Sequence, residues 1–133
     1  MHPGKNIYEA LIRSCTGIVF ENKPVQIYSG VLPVDVEGPY ILINSVECVN
    51  EENKTDDIWR CRVEILVITH HLGNSGTEGD AFDIETQLWP KIENIYVEQY
   101  ENVVIKVDSS NTLKEYSDGV LFAGRTINVT ILI

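Results

Sequence analysis

The sequence predicts an α+β domain: a mostly antiparallel β-sheet with two helices packed on it, in the order α-β-β-β-α-β-β-β. Three observations lead there. The chain has 133 residues, the size of one domain and long enough to bury a core without metal or disulfide staples. Two segments place apolar residues at helical spacing, and most of the rest alternates apolar and polar as strands do. No repeat, low-complexity tract or linker divides residues 1–133, so they are read as a single domain.

The first helix is expected over residues 6 to 16. Asn6 and Glu9 have the spacing of a capping box, Ile7, Ala10, Leu11 and Cys15 follow on one face, and Gly17 ends the run. Val25 to Tyr28 alternates as a strand, and Gly30, Pro33, Gly38 and Pro39 then punctuate an irregular stretch. Tyr40 to Val49 is strongly β-forming. Unbroken alternation would put Ile41, Ile43, Ser45, Glu47 and Val49 on one face and Leu42, Asn44, Val46 and Cys48 on the other.

The polar run Asn50 to Asp57 reads as the solvated tip of a hairpin. Its second strand, Ile58 to about Thr69, has Trp59, Cys61, Val63, Ile65 and Val67 on one face and Arg60, Arg62 and Glu64 on the other. Leu66 and Ile68 make the far end apolar on both sides. That register brings Cys48 near Cys61.

A Gly-, Asn- and Ser-containing loop, His70 to Gly79, leads to a helix near 78 to 89, capped by Ser75 or Thr77. Ala81, Ile84 and Leu88 share a face, with Trp89 at its margin, and Pro90 is expected to kink or end the helix. Val103 to Val107, Leu113 to Tyr116 and Val120 to Ile133 complete the strands, with turn signals at Ser109-Ser110-Asn111 and Asp118-Gly119.

The net charge is −10, from 20 acidic and 10 basic residues, which argues against a general nucleic-acid binder and against anionic membranes. There is no apolar run long enough to span a membrane and no secretory signal pattern, so a cytoplasmic site of synthesis is expected. Cys15, Cys48 and Cys61 are odd in number and lack CxxC spacing, as reduced structural thiols would be. The sequon Asn128-Val129-Thr130 then carries no meaning.

Catalytic signatures are missing. His70 and His71 are neighbours in a strand and would point to opposite faces, which disfavours a shared metal, although one of them could join Glu78, Asp80 or Asp83 in space. The acidic cluster Glu51, Glu52, Asp56 and Asp57 lacks the ligand spacing and central glycine of a calcium loop. No nucleophile-elbow, phosphate-loop or dinucleotide fingerprint occurs. The expectation is a protein that is not an enzyme and takes no cofactor.

Two features point to assembly. Ile127 to Ile133 is uncharged and strongly β-forming, so it must be central in a sheet, covered, or paired with another chain. Arg60 and Arg62 share a face beside the acidic tip Glu51, Glu52, Asp56 and Asp57, and could pair with that tip on a neighbouring copy. An ordinary solvated sheet face accounts for the two arginines equally well.

The segment Ile27-Tyr28-Ser29-Gly30-Val31-Leu32-Pro33, followed by Gly38-Pro39-Tyr40-Ile41-Leu42-Ile43, resembles a "VYxGxxPxxxxxPYxxL"-like stretch. With the element order over nearly the whole chain, it resembles the tail-completion or tail-terminator (head–tail connector) family of bacteriophages. The resemblance gives Tyr28, Gly30, Pro33, Pro39 and Tyr40 structural roles: the Gly and Pro residues shape the chain between strands, and the tyrosines pack. It implies a virion protein, assembled in the host cytoplasm, that forms a homo-oligomeric ring of six or twelve copies through which DNA passes. Its partners would be neighbouring portal, connector or tail proteins, with no sequence-specific nucleic acid and no membrane. The other reading is a small cytoplasmic binding or adaptor domain without enzymatic activity.

Overall fold

A computed structural model describes residues 2–30, 39–52, 57–72, 78–117 and 120–133, without the side chains at 52, 57, 70–72, 78–79, 114–117 and 120–122. The α+β class holds. The elements are α1 (Gly4–Cys15), β1 (Val19–Phe20), β2 (Lys23–Pro24), β3 (Gln26–Ser29), β4 (Tyr40–Glu52), β5 (Asp57–Leu72), α2 (Glu78–Glu93), β6 (Val104–Ser117) and β7 (Val120–Leu132).

Helix α1 starts two residues before the expected Asn6. Gly4 donates its amide to His2 Nδ1 at 3.0 Å, and Ile7 N–H reaches Pro3 O at 3.0 Å. His2 thereby does the capping expected of Asn6, whose side chain instead donates to Glu98 O at 3.1 Å. The His2 ring also meets Trp59 edge-on, with centroids 5.1 Å apart. Past the helix, β1 and β2 form a tight hairpin not expected from the sequence; Glu21 and Asn22 at its tip both have positive φ.

Strands β3-β4-β5-β7-β6 form one sheet in that order. All pairs are antiparallel except β3 with β4, which is parallel. The last strand in sequence, β7, is internal to the sheet. It pairs with β5 and β6 along its whole length, and Ile127, Val129 and Ile131 are buried. The cover demanded by the uncharged segment Ile127 to Ile133 therefore comes from its own chain.

Both helices lie on one face of this sheet. Ile7, Ala10, Leu11 and Cys15 of α1, with Ala81, Ile84, Leu88 and Ile92 of α2, enclose Ile41, Ile43, Cys61, Val63, Ile65, Val67, Ile127, Val129 and Ile131. Full burial of each such Leu or Ile contributes ~1.5–3 kcal/mol relative to exposure. That scale explains why α2 runs through Pro90 rather than stopping at 89. Leu88 and Ile92 flank the proline and both are buried, which offsets a cost of about 3 kcal/mol for proline inside a helix. Asn94 then closes the end, donating both its amide and its side chain to Pro90 O.

Two corrections concern the sheet. Val103–Val107 and Leu113–Tyr116 are not separate strands: β6 is continuous through Ser109-Ser110-Asn111. What looked like a turn is a bulge between Val107 and Ser109. A second bulge, between Ile43 and Ser45, breaks the alternation expected of β4. Ile41 and Ile43 face the core, but beyond the bulge Val46 and Cys48 do so, while Ser45, Glu47 and Val49 turn outward. The two bulges fall at one level, because Ser45 pairs with Glu64, Glu64 with Asn128, and Asn128 with Ser109.

Candidate interaction surface

The sheet face away from the helices is divided at the level of the bulges. Toward one end Tyr40, Leu42 and Ile68 form a second apolar cluster, with Tyr28, Leu66 and Leu113 packed against it. Tyr28 and Tyr40 meet edge-on at 6.1 Å. Gly30 has φ +76 and donates to Ile43 O at 3.0 Å, so this glycine is required by its backbone conformation. Pro39 is half-buried at the start of β4, and Pro33 lies outside the described residues. Tyr28 and Tyr40 therefore pack in this cluster, and Gly30 sets the direction of the chain after β3.

Toward the other end the face is polar and charged. Its rows read across four strands: Val49, Arg60, Leu132 and Val104, then Glu47, Arg62, Thr130 and Lys106. A concavity of about 660 Å³ is lined by Arg60, Arg62, Val104, Lys106, Asp108, Asn128, Thr130 and Leu132. Asp108 accepts a hydrogen bond from Thr130, and Asn128 donates to Ser109 at 3.0 Å. Asn44 donates to Glu64 at 2.7 Å. Bulges bend and twist a strand locally, and the matched pair on β4 and β6 lies at the level of Glu64 and Asn128.

Of the residues expected at a subunit contact, Arg60 pairs with Glu51 of its own chain, Nε to Oε1 at 3.1 Å. Arg62 stands one row away without an ion pair among the described residues. Glu52 and Asp57 pair in the β4–β5 ladder, but their side chains, like Asp56 as a whole, lie outside what is described. The same holds for the side chains of His70 and His71 in β5 and for the capping candidates Ser75 and Thr77.

One polar cluster escaped the sequence reading. Arg125 of β7 points to the helix side, where Nε lies 3.4 Å from Glu85 Oε2 of α2. Its Nη1 donates to Thr112 Oγ1 at 2.8 Å and its Nη2 to Ser110 Oγ at 2.7 Å, while Ser110 donates to Glu85 Oε1. The guanidinium also sits 4.3 Å from the Phe82 ring centroid. The signal was present: Arg125 has the same strand parity as Ile127, Val129 and Ile131, so a cation there needed a buried partner. With its hydroxyl committed to both charged neighbours, Ser110 helps lock α2 to the sheet.

Cys48 and Cys61 are opposite one another in the ladder, as the hairpin register predicted, and are unbonded thiols. Burial raises both pKa values and leaves the thiols protonated. Burial likewise pushes the Cys15 thiol up to about 11. Among the described residues no cluster of His, Cys, Asp or Glu is arranged to hold a metal ion. No helix among them is long and apolar enough to cross a membrane.

No family model matches the chain, and no curated protein matches it. A solved structure does: a chain of the "Virion of native gene transfer agent (GTA) particle" matches with a TM-score of 0.59 and 12% identity. The match covers 80% of this chain and 77% of that chain, so the likeness is one of fold over most of both.

Proposed function

We propose that the protein is a non-enzymatic structural component of a phage-like virion, working as a ring of identical subunits at the head–tail junction. The observation that carries this reading is the shared fold with a chain of a gene transfer agent virion over four-fifths of the sequence. The Tyr28–Ile43 resemblance to tail-terminator proteins supports it independently, since it rests on residues and not on topology. The core, the Tyr28/Tyr40 cluster and the Arg125–Glu85 lock are all devoted to holding a rigid two-layer block. The concavity of about 660 Å³ lies on an open sheet face, and the residues that line it form no catalytic constellation. A net charge of −10 would let DNA phosphates pass a ring of such subunits without adhering.

Native mass spectrometry and negative-stain imaging of the purified chain test the reading, alone and mixed with a portal or tail protein, where one is encoded beside it. Closed rings of six or twelve are expected. A chain that stays monomeric under all of those conditions, or that binds duplex DNA tightly at physiological salt, overturns it.

A further inference from the structure

The open sheet face has a counterpart on the helix side of the molecule. Between α2 and β6 the chain makes a turn in which Ile95 and Val97 are buried and the residues between and after them point out. Tyr96 is 67% exposed at its crest. Glu93, Glu98 and Glu101 are near it in sequence, residues 93 to 101 contain no cation, and the Arg13 guanidinium lies 6.0 Å from the Tyr96 ring centroid. The turn is held in shape from beneath, because Arg13 of α1 donates to Tyr96 O at 2.9 Å and Asn6 to Glu98 O at 3.1 Å. An exposed aromatic on a fixed, acidic turn is a pre-organised plug.

The concavity on the opposite layer has the matching chemistry. In a chain with twice as many acids as bases, its lining holds three cations, Arg60, Arg62 and Lys106, against the one carboxylate of Asp108, with Glu47 opposite Arg62 in the ladder at its edge. Asp108 is tied to Thr130 and Arg60 to Glu51, while Arg62 and Lys106 make no ion pair among the described residues. Val104, 58% exposed, and Leu132 supply apolar wall.

We propose that a second copy of this chain fills the concavity, inserting Tyr96 against Val104 and Leu132 and setting Glu98 and Glu101 against Arg62 and Lys106. The two patches lie on opposite layers of the fold, so each copy would offer its groove to one neighbour and its turn to the next. Such a heterologous contact propagates and closes into a ring when its rotation divides a full circle. The inference deepens the proposed ring and rests on that reading.

The test uses two variants of the full chain, Tyr96→Cys and Lys106→Cys, treated with a short bifunctional maleimide, with the parent protein as baseline for its own thiols. Mixed together they are expected to give a cross-linked dimer, and each alone none above the parent. Cross-linking within either variant alone would mean a symmetric contact and overturn the proposal. No cross-link, in a parent that native mass spectrometry shows to be a ring, overturns this interface and leaves the ring standing. A parent that is monomeric at every concentration removes both. As a second arm, R62E/K106E is expected to weaken association by about tenfold or more, and mixing it with E98K/E101K to recover it. Failure of that charge swap, with both variants folded by circular dichroism, also overturns the interface.

Discussion

Among the described residues, two arginine–carboxylate pairs join elements of this protein, and they do opposite things. Arg125 and Glu85 connect the internal strand β7 to α2, and their side chains are only 10% and 6% exposed. Arg60 and Glu51 span two strands at the open face and are 46% and 44% exposed. The distances are similar, 3.4 Å and 3.1 Å. The surroundings decide the consequence. Water screens the outer pair and would solvate either partner alone. The inner pair has Ser110, Thr112 and Phe82 around it, and neither charge has another place to go.

The sharpest test of that contrast is Arg125→Ala. It strands Glu85 in the core and is expected to lower stability by about 3–5 kcal/mol, read from urea unfolding. Next is the residue beside it, Gly124→Ala. A Cβ there would lie 1.9 Å from Val67 O, so the β5–β7 ladder must move and carry Arg125 with it. A loss of about 1–3 kcal/mol is expected. The double change Glu85→Leu with Arg125→Met removes both charges together and is expected to cost about 1 kcal/mol, less than Arg125→Ala alone. If the double variant is the less stable of the two, the inner pair acts through its geometry and not through an uncompensated charge. Arg60→Ala should cost about 0.2–1 kcal/mol, and the loss should shrink as salt is added, whereas that of Arg125→Ala should not.

Cys15 adds a pH-dependent test on the helix side. Its thiol is held at about 11 in the fold against 9.0 for a free one, so the unfolded chain loses that proton first as pH rises. The contribution is fully present below pH 9 and declines toward pH 11. Replacing Cys15 by Ala should flatten the fall in melting temperature across that window.

What could be read in advance divides along the same line between water-facing and buried groups. The helix faces Ile7–Ala10–Leu11 and Ala81–Ile84–Leu88 and the β5 face Cys61–Val63–Ile65–Val67 all follow from periodicity, because burial enforces it. The misreadings came where a local rule competed with packing. Asn6 offered a cap that His2 supplied instead, and Pro90 offered a stop that Leu88 and Ile92 overrode. Ser109-Ser110-Asn111 has turn composition, yet Ser110 is held in β6 by Glu85 and Arg125, partners distant in sequence. The open face was half legible. Arg60 and Arg62 were visible as a pair, but Val104, Lys106 and Leu132 join them only through a strand order in which β7 lies between β5 and β6.

That strand order also governs how the protein can be made. Among the described residues, strand β6 has no partner in the sheet except β7, and β5 has only β4 until β7 arrives. A ribosome adding ~5–20 residues per second must therefore finish residues 120–132 before either edge can close. Until then β5 and β6 each keep an open hydrogen-bonding edge where β7 will lie, a condition that invites misassembly between nascent chains. The polar residues of β6, among them Lys106, Asp108, Ser109 and Asn111, are placed where they keep the waiting strand solvated. The same residues that give the finished sheet its hydrophilic face guard the unfinished one during synthesis.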